Sequence, residues 1–290
     1  MNLIRRVERV CDRLRRMCRK PVIANISVLA PNELLEGRTA LITGGTSGIG
    51  LAIAKAFLQS GANVIITGRN EERLANAQAE LQALGCKGMV FPYRMDITEV
   101  SHLKEHLNCI LSTFMVGGAI DILVNNAGVL GGSMPNAKED VYDKVMETNL
   151  KGTFFMSQQM GKYMKDNGIK GNILNIASSS SLRPAISAYM VSKWGIRGLT
   201  LGLAKAMAGH GITVNGIAPG PTATPMLIKN ATEDISNPTS PTGRYALPEE
   251  IANMAVLLVS DMGRMIVGDI VYMTGGTGLI CLDDMNYNIF

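Results

Sequence analysis

The stretch that decides the fold is TALITGGTSGIGLAIAKAFLQSG, residues 39–61. A short apolar run, TALIT, reads as a buried strand. A glycine turn follows, and then an apolar-periodic segment long enough for three turns of helix. A strand, a glycine turn and a helix present backbone N–H groups and a helix N-terminus to an incoming phosphate. Gly44 permits the tight turn, Gly48 allows close approach of a ligand, and Gly50 lets the helix pack on the strand. The spacing is G-x-x-x-G-x-G rather than G-x-G-x-x-G. A glycine cluster alone is weak evidence, because turns need glycine anyway. Its weight comes from sitting in the first strand–helix unit.

Working outward, the same alternation repeats. Apolar runs occur at ANVIIT (62–67), GMVFPYRMD (88–96), IDILVNNAG (120–128), GNILNIAS (171–178), ITVNGIAPG (212–220) and GDIVYMTGG (268–276). Amphipathic segments such as ERLANAQAELQAL (72–84) and PEEIANMAVLLVS (248–260) lie between them. Near-continuous apolar strands with helical crossovers predict an α/β fold, a doubly wound parallel sheet of seven strands covered on both faces. The second strand ends in TGRN. Arg69 stands where an acidic residue would hold a ribose 2′-hydroxyl, and arginine there accommodates a 2′-phosphate. This favours NADP(H), with NAD(H) as the alternative.

Composition sets bounds. The 290 residues suit one large domain, and 47% apolar content suffices for its core. Aromatic residues make up 5%, too few to stack nucleic acid bases along a surface. Five scattered cysteines (Cys11, Cys18, Cys86, Cys109, Cys281) form neither a disulfide framework nor a zinc motif. His102 and His106 are spaced i, i+4, but no further ligand completes a metal site, and His210 stands alone. No run approaches the roughly 20 apolar residues needed to span a bilayer, and no signal-peptide pattern opens the chain. A cytoplasmic protein is expected.

The formal charge of +4 conceals an uneven distribution. Eight basic residues (Arg5, Arg6, Arg9, Arg13, Arg15, Arg16, Arg19, Lys20) crowd the first 20 positions against Glu8 and Asp12, which leaves the remainder slightly acidic. The body is therefore no nucleic-acid surface. Leu3, Val7, Val10, Leu14 and Met17 form one apolar stripe on a basic helix ending before Pro21. Such a helix can cover its own subunit, pack against a second one or lie on an anionic membrane. The expected division is an extension over 1–37, with residues 21–37 as connector, and one dinucleotide-binding catalytic domain over 38–290.

The second informative stretch is IASSSSLRPAISAYMVSK, residues 176–193. Tyr189 and Lys193 sit i, i+4 at a helix start and so share a face. A tyrosine has a pKa of about 10, and a neighbouring ammonium favours its phenolate. Such a pair suits proton transfer near neutral pH. Tyr-x-x-x-Lys arises by chance in many helices, so the evidence is the combination.

That combination resembles the short-chain dehydrogenase/reductase family. Its marks appear in family order over roughly 37–278: Thr43–Gly50, Asp96, Asn125-Asn-Ala-Gly128, Asn149, a serine after the fifth strand, Tyr189-Met-Val-Ser-Lys193, and Pro219-Gly220. The resemblance implies a proton exchanged between Tyr189 and the substrate oxygen as hydride moves to or from a nicotinamide. It implies that Lys193 holds the nicotinamide ribose and lowers the Tyr189 pKa, and that Asn149 anchors a water in a relay to Lys193. Gly44, Thr46, Ser47, Gly48, Ile49 and Gly50 would form the phosphate turn, and Asp96 and Ile97 would border the adenine. Asn125, Ala127 and Gly128 would support the cofactor. Pro219, Gly220, Thr222 and Thr224 would lie near the carboxamide.

Ser178, two residues after Ile176, is the serine that would stabilise charge on the substrate oxygen. It stands 11 residues before Tyr189, closer than is usual in the family, so the connecting loop is short. The bland reading keeps Asn149 as a helix polar group, Asp96 as a turn former and the spare serines as loop caps. The implied activity is an oxidoreductase interconverting a carbonyl and a secondary alcohol on a small-molecule substrate. Alternatives are a 3-oxoacyl-thioester reductase and a nucleotide sensor or scaffold that keeps the fold without the chemistry. A homodimer or homotetramer through the helices at 139–165 and 188–209 is expected, as is a substrate lid over 224–245. No nucleic-acid partner is expected.

Overall fold

The computed structural model describes residues 32–114, 118–227 and 234–280. Seven strands form one parallel sheet: β1 (Thr39–Thr43), β2 (Asn63–Gly68), β3 (Val90–Arg94), β4 (Ile122–Asn125), β5 (Asn172–Ile176), β6 (Thr213–Pro219) and β7 (Ile270–Met273). Their order is β3-β2-β1-β4-β5-β6-β7, with every pairing parallel. Each apolar run read from the sequence became one of these strands. The basic stripe of residues 1–20 lies outside the described residues, as does the connector up to residue 31.

Alternation along the strands builds two cores. Ala40, Ile42, Val64, Ile66, Val124 and Leu174 face one side. There they pack on α1 (Gly48–Gln59), α2 (Glu71–Gln82) and α7 (Pro248–Val259). Leu41, Ile65, Leu123, Ile173 and Val214 face the other, against α3 (Leu103–Phe114), α5 (Thr153–Asp166) and α6 (Ala188–Met207). Both faces are covered, which is why the strands carry so few polar side chains. Among the described residues no helix is long and apolar enough to cross a membrane.

One element departs from expectation. The helix read as continuous from 139 to 165 is α4 (Glu139–Met146), a π-helical turn (Glu147–Gly152) and then α5. Such a turn inserts one extra residue per winding and is frequent at functional sites; here it contains Asn149. The expected helix over 188–209 is α6 up to Met207, continued by a 3₁₀ turn (Ala208–His210).

The strand order reverses between β1 and β4, since the chain runs outward through β2 and β3 and then returns beside β1. The carboxyl ends of these two strands therefore part and leave a crevice, the ordinary ligand position of open α/β sheets.

Candidate active site

The crevice is a cleft of about 370 Å³ that runs from the end of β2, across β1 and β4, to the ends of β5 and β6. Its lips are stitched together at the reversal. Asn126 donates from Nδ2 to the carbonyls of Gly44 (2.9 Å) and Thr43 (3.1 Å). Thr43 Oγ1 in turn accepts from the backbone N–H of Asn126 (3.1 Å) and Ala127 (3.2 Å). Sequence reasoning passed over Asn126 in favour of Asn125. Asn125 Nδ2 donates to Ser157 Oγ and Asn175 Oδ1, both at 2.9 Å, beneath the sheet and away from the cleft. The period of two along a strand was the available signal: of two adjacent asparagines, only one can face up.

The glycine turn is shaped for close approach. Gly44 has φ +64°, and a Cβ on it would stand 2.9 Å from Ala127 Cα. Gly48 has φ +55° and would press 3.3 Å from Thr224 Cγ2. Ser47 is the N-cap of α1, yet its side chain makes no cap hydrogen bond, and the first turn holds no acidic residue. The opening N–H groups of α1 thus point to the cleft without a side-chain acceptor. Thr46, Ser47, Gly48 and Ile49 line this section. Gly50 lies behind it, where a Cβ would strike the Gly44 carbonyl at 2.4 Å; it serves helix–strand packing. These features fit a pyrophosphate.

At the open end, Arg69, Asn70 and Arg73 line the cleft, with Asp96 and Ile97 opposite. Arg69 Nη1 lies 3.6 Å from Asp96 Oδ2. Asp96 Oδ1 accepts from the N–H (3.0 Å) and Oγ1 (2.8 Å) of Thr98, which fixes the carboxylate.

At the closed end, β5 stops at Ile176 and Ser178 follows. Ser178 caps the 3₁₀ turn Ser179–Leu182, its Oγ accepting from the Ser180 N–H at 3.1 Å. Of the four serines only Ser178 lines the cleft; Ser179 is buried, and Ser181 Oγ donates to the Ser178 carbonyl at 2.7 Å. The Ser178 side chain also acts on the Tyr189 phenol, favouring its ionised form. α6 begins at Ala188, its N-cap Ser187 accepting from Met190 N–H. The helix start is held from the β4 side as well. The carbonyls of Gly132 and Gly131 accept from the N–H of Ala188 (2.9 Å) and Tyr189 (3.4 Å).

Lys193 is buried, and its Nζ donates to the Ile176 carbonyl at 2.7 Å while standing 5.7 Å from the centre of the Tyr189 ring. Burial pushes its ammonium down to about 8. Burial pushes the Tyr189 phenol up from its ordinary value, and the Ser178 hydrogen bond draws it part of the way back. The expected lowering of the Tyr189 pKa by Lys193 is not what the geometry gives: desolvation raises the phenol, and the opposing influence is Ser178.

Asn149 lies under the cleft rather than on its wall. Its Oδ1 accepts from Val129 N–H (2.8 Å), and its Nδ2 donates to the Val129 carbonyl (3.0 Å) and to Ser192 Oγ (3.2 Å). Its own carbonyl accepts from Thr153 Oγ1 at 2.8 Å. Ser192 Oγ donates to the Tyr189 carbonyl (2.7 Å), so Asn149 joins the end of β4 to α6. Ala127 and Gly128 line the floor, and Pro219, Gly220, Thr222 and Thr224 the β6 wall.

Met226 and Leu227, half exposed, close the mouth. The stems of the lid are pinned together: Ala223 N–H donates to the Ala246 carbonyl (2.8 Å) and Ala246 N–H to the Pro221 carbonyl (2.9 Å). Residues 228–233 of the lid lie outside the described residues. Among the described residues no group of His, Cys, Asp and Glu could hold a metal ion.

Comparison with known proteins agrees with this geometry. The family described as short chain dehydrogenase matches residues 38–235. A 3-oxoacyl-[acyl-carrier-protein] reductase of Thermotoga maritima is 36% identical over 247 residues, covering 83% of this chain and 98% of that protein. A 3alpha-hydroxysteroid dehydrogenase of Mediterraneibacter gnavus is 34% identical over 248 residues, 83% of this chain and 97% of that one. Among solved structures, a variant actinorhodin polyketide ketoreductase with NADPH superposes with a TM-score of 0.76 at 31% identity, covering 84% of this chain and 98% of the other.

Proposed function

This chain belongs to the short-chain dehydrogenase/reductase family, an oxidoreductase acting on carbonyl and alcohol groups, and we propose that it uses NADP(H) in preference to NAD(H), with Tyr189 as its acid/base. The observation that carries this reading is the convergence of Ser178, Tyr189 and the buried Lys193 on the inner end of a cleft whose outer end carries Arg69 and Arg73.

A bound nicotinamide supplies the hydride for reduction and accepts it in oxidation. Tyr189 delivers a proton to the carbonyl oxygen as that oxygen gains charge, and removes it from the alcohol in the reverse direction. Its burial keeps it protonated at neutral pH, the form that reduction needs. Ser178 accepts from Ser180 N–H and keeps one hydroxyl proton, which can serve the Tyr189 oxygen or turn to the substrate oxygen, where it stabilises the developing charge. Lys193, held at the Ile176 carbonyl, presents its remaining N–H donors to the ribose beside Tyr189 and favours the phenolate left after proton delivery. Asn149 keeps the floor and the catalytic helix in register. Arg69 and Arg73 give the outer end its preference for a 2′-phosphate.

A 3-oxoacyl thioester is the second substrate reading, favoured by the identity to the Thermotoga reductase. The apolar side chains of Phe154, Val191, Trp194 and Leu201, exposed on α5 and α6, support a homodimer or homotetramer.

The test is fluorescence titration with NADPH and NADH, followed by turnover of ketones, sugars and 3-oxoacyl thioesters. Tighter NADPH binding with reduction of at least one carbonyl is expected. Equal or tighter NADH binding would overturn the cofactor preference.

A further inference from the structure

Three arginines stand near the end of β2, and they are not equivalent. Arg94 is turned aside, its Nε 3.3 Å from the Arg69 carbonyl and 3.8 Å from Glu71 Oε1, and it does not line the cleft. Arg69 lines the cleft but is paired with Asp96 at 3.6 Å. Asp96 cannot swing away easily, because its other oxygen is held by two bonds from Thr98. An anion approaching Arg69 must therefore share the guanidinium with a fixed carboxylate and meet that carboxylate's repulsion. Arg73 lines the same end, is exposed, and among the described residues has no carboxylate within ion-pair distance.

Its place on the helix sharpens the point. Arg73 is the third residue of α2, where the Asn70 side chain caps its N–H at 2.8 Å. A cation in the first turn opposes the helix dipole, which Glu71 and Glu72 at the two preceding positions complement. Helix stability thus gives no reason for arginine there, whereas a dianionic group at the mouth of the cleft does.

We propose that Arg73 is the principal residue discriminating a 2′-phosphate from a 2′-hydroxyl, with Arg69 in a lesser role because Asp96 competes for it. This rests on the NADP(H) reading and deepens it by assigning the discrimination to one side chain. Arg73 forms its contact without surrendering another, whereas Arg69 must divide its charge between the phosphate and Asp96.

The experiment is equilibrium titration of the full chain, and of its Arg73→Gln, Arg69→Gln and Asp96→Asn variants, with NADPH and NADH. Arg73→Gln is expected to weaken NADPH about tenfold or more, as for loss of a charge-assisted contact, while NADH stays within about twofold. The unchanged NADH affinity also reports that the variant is folded. Arg69→Gln should weaken NADPH by a smaller factor, and Asp96→Asn, which frees Arg69, should strengthen it. A larger NADPH loss in Arg69→Gln than in Arg73→Gln would overturn the assignment, as would equal losses of both nucleotides in Arg73→Gln. Failure of the underlying reading looks different: the unaltered chain itself would then show no preference for NADPH, and both conclusions would fall.

Discussion

At the inner end of the cleft Lys193 is buried and bonded to the Ile176 carbonyl beside a half-buried Tyr189, whereas at the outer end Arg69 and Arg73 stand in solvent. The contrast follows from what each end must do. Burial raises the Tyr189 phenol further from neutral pH and lowers the Lys193 ammonium toward it. The inner end thus holds the tyrosine as a proton donor, and a phenolate formed there depends on Ser178. Selecting a phosphate requires only a charge that can be reached, and an exposed arginine offers it without a desolvation cost. On the proposed reading, the inner end gives up folding stability for chemistry, and the outer end selects a phosphate at little cost to the fold.

The largest expected effect attacks the inner end directly. Tyr189→Phe keeps the ring and removes the proton donor, so turnover should fall 10²–10⁴-fold (an order-of-magnitude range) while NADPH affinity is nearly unchanged. Steady-state rates beside binding titrations check this. A variant with more than about a tenth of the original rate would mean that the enclosed end does not handle the proton.

Next in size is Ser178→Ala, expected to lower kcat by roughly 10²–10³-fold through loss of a hydrogen-bond donor to the developing charge. Ser180→Ala serves as comparison, since its side chain is outside the cleft lining. If Ser180→Ala were the slower enzyme, the role would pass along the serine run.

The third prediction concerns stability. The folded value of Lys193, about 8, lies below the ordinary lysine value of 10.5. Its buried charge is therefore a cost fully present below pH 8, and it is relieved as pH rises toward 10.5. The stability of the unaltered protein relative to Lys193→Met should thus rise over that window, by about 3 kcal/mol at one pKa unit per 1.36 kcal/mol. Urea unfolding at pH 7 and pH 10 measures it. A flat difference would show that water reaches Lys193 and that the two ends are less different than described. The Arg73 titrations probe the outer end, with the smallest change in free energy of the set.

How much of this was legible in the sequence follows the same division. Strands were plain because both faces are buried, leaving unbroken apolar runs. Tyr189 and Lys193 were readable because helical spacing alone puts them on one face, and Ser178 because it follows the last residues of β5. Arg73 was not, because a long exposed side chain takes its direction from what lies opposite, and Asp96 is 23 positions away along the chain. The π-helical turn was hidden too. Its cause is tertiary, with Asn149 drawn simultaneously to Val129 and Ser192, and no local pattern announces such a pull. The two adjacent asparagines at the end of β4 are separable by strand alternation, which the motif by itself does not show.

The pinned stems of the lid carry a consequence for how such an enzyme changes its diet. Pro221–Ala223 and Ala246 meet through paired backbone bonds that involve no side chain. Beyond Thr224, which stays against Gly48 in the cleft wall, the segment between them can be exchanged as a cassette with standard connectors. Loop closure costs little more as the cassette lengthens, about 0.6 kcal/mol per doubling. The proton-handling residues are fastened elsewhere, to β4, β5 and α6. Selection, or an engineer, can therefore exchange the cassette and retrain the enzyme on another carbonyl while the chemistry beneath stays as it is.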